Sequence, residues 1–75
     1  MNKFKYMVKS EIDYIIQNAN FTDEQYAVFR ELTKSDYGIT KSDVSIYMKL
    51  NMSATKFYKI KKEIKNKIDK VLFNP

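Results

Sequence analysis

Gly38 and Pro75 are the only glycine and proline in this 75-residue chain, and that scarcity of backbone punctuation narrows the fold more than any other feature. Few strand-joining turns can be built, and no clear period-2 alternation of apolar residues appears. A period of 3.6 runs through the chain instead. The expected fold class is all-α: one small four-helix domain, residues 1–75, with a C-terminal helix-turn-helix. Its helices are expected at about 3–19, 23–34, 41–49 and 54–73.

Each helix has its own local signals. Phe4, Met7, Val8, Ile12, Ile15, Ile16 and Ala19 share one stripe of the first. They serve either as core or as a homodimer surface, which would suit palindromic half-sites. The second opens with Phe21-Thr22-Asp23-Glu24-Gln25-Tyr26. Thr22 is placed as N-cap and Gln25 at N3 as a capping box, with Phe21 and Tyr26 as a hydrophobic staple. Asp23 and Glu24 suit the positive end of the helix dipole, and Val28, Phe29 and Leu32 continue the apolar face. Ser35-Asp36-Tyr37-Gly38 ends the helix, with Gly38 free to take positive φ. The third start is ambiguous. Thr40 with Asp43 makes one capping box, Ile39 and Val44 a staple, and Ser42 is a competing cap. Val44, Ile46, Tyr47 and Leu50 form its apolar side. Asn51 then fits the left-handed position after a helix. Ser53 follows as the next N-cap, with Met52 and Phe57 as staple. Phe57, Ile60, Ile64, Ile68, Val71 and Leu72 stripe one face of the long last helix.

Composition removes several functions. Without Cys or His the chain lacks disulfides, thiolate metal sites, the commonest metal ligand and the commonest general base. No Gly-rich phosphate loop appears, and the carboxylates are scattered over helix starts, where capping and dipole effects account for most of them. An enzyme, a bound metal and a cofactor are therefore not expected. No apolar run approaches the roughly 20 residues of a membrane span, and MNKFKYMVKS is not a secretion signal. The expected location is the cytoplasm. The basic last helix has the charge for a membrane surface, but its apolar stripe is better used in the core, so no membrane partner is expected.

Net charge is +5, and its distribution is uneven. Residues 49–70 hold eight lysines against Glu63 and Asp69, a net of +6. Residues 10–48 hold Arg30, Lys34 and Lys41 against seven carboxylates, a net of −4. A chain polarised in this way turns a positive surface toward an anionic partner.

A short helix, a turn of about three residues and a second helix form the layout of a helix-turn-helix. Ile46, Leu50, Met52, Phe57 and Ile60 fall where its helices meet. Residues 21–72 resemble the promoter-reading fourth region of bacterial sigma factors and the related output domains of response regulators. "FTDEQYAVF" is similar to their opening helix. "KLNMSATKFYKIKKEIKNKI" aligns without gaps to their turn and recognition helix, an ending that small phage-encoded transcription regulators share. The resemblance implies sequence-specific binding of double-stranded DNA in transcription regulation. Two positions depart from it. The family places Ala or Gly after the position held by Ile46, where this chain has Tyr47. It also presents Arg-Glu and Arg-Gln on the recognition helix, where this chain has Ala54, Thr55, Tyr58 and Lys59. The scaffold carries over, and the family's usual promoter preference does not. Such domains also bind RNA polymerase and regulators, so the alternative function is a protein-interaction module with little DNA contact.

The base-reading set expected on the last helix is Thr55, Lys56, Lys59 and Lys62, with lysines donating to guanine and the Thr55 methyl touching thymine. The alternative is a solvated lysine face. Lys41, Ser42, Lys49, Ser53 and Tyr58 are expected at the DNA backbone. For Tyr58 a place at the edge of the core is equally open, and Tyr47 is expected to pack. Lys61, Lys65, Lys67 and Lys70 are expected to add nonspecific field.

Overall fold

A computed structural model describes residues 7–36, 39–40 and 42–73. Four helices follow in order: α1 (Lys9–Asn18), α2 (Asp23–Thr33), α3 (Asp43–Lys49) and α4 (Ala54–Phe73). The fold is all-helical save for a two-residue antiparallel pair between α2 and α3, β1 (Ser35–Asp36) with β2 (Ile39–Thr40). That pair is not foreseen in the sequence, because two residues per strand leave no alternation to read.

The second helix starts as its sequence dictates. The Thr22 hydroxyl accepts from the Gln25 amide, and the Gln25 side chain accepts from the Thr22 amide, completing the capping box. Phe21 lays its ring 5.1 Å from that of Phe29, while Tyr26 faces solvent. The first helix begins at Lys9, later than the apolar stripe suggests. Val8 has extended backbone and stands exposed. Helical support comes from burial, and α1 reaches the core through Ile15 and Ala19, with Ile12 and Ile16 beside them. Asn20 then takes φ 55° and turns the chain toward α2. The third helix begins at Asp43, not at residue 41, because Ser42 is extended and its hydroxyl accepts from the Ser45 amide. Thr40, the rival cap, is taken up in β2. Phe4, residues 3–6 of the expected first helix, the Gly38 turn and Lys41 lie outside the described residues, as does the Ile39 side chain expected as half of a staple.

The turn after α3 closes with two bonds. The Met52 amide donates to the Tyr47 carbonyl at 3.0 Å, and the Asn51 amide to the Met48 carbonyl at 3.1 Å. These are the paired bonds of a Schellman ending, with Asn51 at φ 59° in the left-handed position. Ser53 then caps α4, its hydroxyl accepting from the Lys56 amide.

The core is an α2–α4 sandwich with α1 and α3 at its sides. Val28, Phe29 and Leu32 meet Phe57, Ile60, Ile64 and Ile68, with Ile46 filling the α3 side. Tyr47 packs rather than points out, its ring 5.6 Å from that of Phe57. Val44, expected on the apolar side of α3, is instead 50% exposed, because the face centred on Ile46 and Leu50 is the one that meets the core. Phe57→Ala should cost about 3–5 kcal/mol of folding free energy, measured by urea unfolding. Asn51→Ala should cost about 1–2 kcal/mol and Asn51→Gly far less, since only the left-handed backbone penalty separates them.

Candidate nucleic-acid interface

The burial of Phe57, Ile60, Ile64 and Ile68 fixes how α4 is rolled. At 3.6 residues per turn, Thr55, Lys59 and Lys62 fall on the opposite side, and all three are exposed. They span seven residues, about 10 Å of helix axis. Lys56 does not share their outermost line. It lies about a quarter turn from the buried stripe, on the α2 flank, with its ammonium 2.6 Å from the Glu24 carboxylate.

Specific acceptors sort the remaining lysines. Lys49 bridges to the buried carboxylate of Glu31 at 3.1 Å. Lys61 donates to both carboxylate oxygens of Asp43, at 3.2 and 3.0 Å. Lys67 donates to the Asn20 carbonyl at 2.9 Å and to Gln25 Oε1 at 2.6 Å, and lies 6.0 Å from the Phe21 ring centre. Among the described residues, Lys59, Lys62, Lys65 and Lys70 make no ion pair. Half of the basic segment is thus engaged within the protein, and the free half lies along α4.

Gln25 is a structural residue whose full role sequence reasoning missed. Buried at 6% exposure, it caps α2 and also donates to Glu63 Oε1 at 3.1 Å while accepting from Lys67. One side chain therefore joins the start of α2 to the middle of α4 and, through Lys67, to the α1–α2 corner. Glu24, Glu31 and Asp43 were missed in the same way. Glu24 and Asp43 stand in first helical turns, where dipole roles account for them, Glu31 stands near the end of α2, and the lysine partners of all three are remote in sequence.

Ser42 and Ser53 are exposed, and their hydroxyl oxygens serve as caps, which leaves each O–H proton available as a donor. Tyr58 is 50% exposed and stands edge-on to Phe57 at 5.4 Å, so it borders the core and faces solvent at once. Lys49 is committed to Glu31, and Lys41 lies outside the described residues. Along α4, Tyr58, Lys61, Lys62 and Lys65 line a shallow groove of about 240 Å³.

No protein-family model, curated protein or solved structure matches this chain. Among the described residues no helix is long and apolar enough to cross a membrane, and no cluster of three or more carboxylates could hold a metal ion. Every buried side-chain nitrogen and oxygen described has a hydrogen-bond partner.

The sorting of lysines has a direct consequence for stability. Lys67→Ala should cost about 1 kcal/mol, because the Asn20 carbonyl and Gln25 lose a charged donor. Lys59→Ala should stay within about 0.5 kcal/mol of the parent chain. Thermal unfolding of the two variants side by side checks the difference.

Proposed function

We propose that this protein binds double-stranded DNA in a sequence-dependent way and regulates transcription, with α3 and α4 as a helix-turn-helix and α4 as the recognition helix. The observation that carries the reading is the outward face of α4. Directly after a left-handed turn at Asn51, it presents Thr55, Lys59 and Lys62 without an ion pair among the described residues. A helix of this width enters a major groove about 12 Å wide, and its first two turns reach base edges. Lys59 donates to guanine O6 and N7, and the Thr55 methyl meets thymine. Lys56 sits at the α2 side of this face and contacts DNA only after leaving Glu24. Ser42, Ser53 and Tyr58 serve the backbone.

The likeness of residues 21–72 to sigma-factor region four supports the same scaffold. Base preference differs, because Ala54, Thr55, Tyr58 and Lys59 stand where that family presents Arg-Glu and Arg-Gln. The paired lysines matter for salt dependence. A lysine that exchanges a carboxylate for a phosphate leaves that carboxylate to gather a cation, so its net counterion release is small. On random duplex, where Lys59 has no cognate base and meets phosphate like the others, the four free lysines of α4 give a slope of log K against log salt of about −4, where all eight would give about −7.

One observation favours a protein partner as a second reading. Val44 and Met48 stand one turn apart on α3 and are 50% and 70% exposed. An apolar contact there would suit RNA polymerase or a regulator, alongside DNA or in its place.

Band-shift titration of the chain on random duplex DNA tests the first reading. Binding should fall steeply with salt, at a slope near −4. A binder with no shift at low salt and salt-insensitive capture of RNA polymerase supports the second. On a duplex selected from a random pool, Lys59→Ala should weaken binding by about 1–3 kcal/mol and relax preference at one base pair.

A further inference from the structure

The groove lined by Tyr58, Lys61, Lys62 and Lys65 occupies the flank of α4 that meets the start of α3, since Lys61 holds Asp43, the first residue of α3. These residues recur at i, i+3, i+4 and i+7, so they form one strip about 10 Å long. The Tyr58 ring and the lysine stems give the groove apolar walls, and Lys62 and Lys65, both exposed, bring two positive charges to it. Lys62 and Lys65 make no ion pair among the described residues, and Lys61 is occupied on both oxygens of Asp43. Apolar walls beside two unpaired cations one turn apart match a linear polyanion whose charges alternate with apolar sugar rings.

We propose that this groove carries the sugar–phosphate backbone of the DNA strand bordering the major groove that α4 enters. Lys62 and Lys65 contact phosphates, the Tyr58 ring packs against a sugar, and Asp43 withholds Lys61 from the strand. The inference rests on the DNA-binding reading of α4 and goes further in two respects. It moves Lys62 from base contact to backbone contact, leaving Thr55 and Lys59 as the discriminating pair. It also makes Asp43 a brake. A carboxylate beside the strand occupies one cation and repels the phosphates, lowering affinity for every sequence alike and leaving discrimination untouched.

The test is the affinity of the full chain for two short duplexes of different sequence, measured across a range of salt. Lys65→Gln should reduce the magnitude of the salt slope by about 0.9. It should weaken binding to both duplexes by the same factor. Asp43→Asn should tighten binding to both duplexes several-fold and steepen the slope. A gain of this kind cannot arise from unfolding, and melting curves of both variants accompany it. Unchanged binding by Lys65→Gln at every salt, a Lys65→Gln loss confined to one duplex, or no gain from Asp43→Asn would overturn the groove assignment while leaving the DNA reading in place. If the parent chain shows no salt-dependent binding to either duplex, the DNA reading falls, and the groove assignment with it.

Discussion

The apolar contact between α2 and α4 governs the rest of the molecule. Phe57, Ile60, Ile64 and Ile68 are the buried residues of a 20-residue helix, and they meet Val28, Phe29 and Leu32 across a thin core. A domain of this size has little other apolar surface to bury. The contact therefore does two things at once. It supplies most of the hydrophobic stabilisation, and it sets the angle at which every other α4 side chain leaves the helix. A roll of a quarter turn would bring Lys56 outward and turn Lys62 toward α3.

Polar contacts refine what the apolar contact sets. Gln25 ties the start of α2 to Glu63 and Lys67 of α4. Glu24, Glu31 and Asp43 pair with Lys56, Lys49 and Lys61. The Lys56–Glu24 pair is half exposed on both sides, and pairs of that kind contribute little to stability. Their larger effect is on the field. The basic half of the chain is divided into lysines already paired within the protein and lysines left free on the outer side of α4 and on its flank toward α3. Under the proposed DNA reading, this division confines the attraction for phosphate to the outer side of α4 and its flank toward α3.

Much of this was legible in the sequence where short-range rules decide. The capping box at Thr22 and Gln25, the left-handed Asn51, the Ser53 cap and the apolar stripe of α4 all follow from residues within one or two turns of each other. The same reasoning failed where a distant partner decides. Val8 fits the stripe of α1 by spacing and is exposed, because the core does not extend to it. Val44 fits the α3 stripe and is exposed for a similar reason. The division of the lysines was not legible, since Glu31 and Lys49 are 18 residues apart, as are Asp43 and Lys61, and Gln25 and Lys67 are 42 apart. Spacing identified Thr55, Lys59 and Lys62 as outward and grouped Lys56 with them. The nearby Glu24 separates it, and that proximity exists only once α2 and α4 are packed.

The Schellman corner at Asn51 has one more effect. Because its bonds are all between backbone atoms, the corner holds its shape whatever side chains follow on the outer line of α4. The outward positions can therefore drift through mutation at almost no thermodynamic penalty. Under the proposed DNA reading, a lineage built on this frame acquires new targets by exchanging a handful of surface residues, with the interior left as it was.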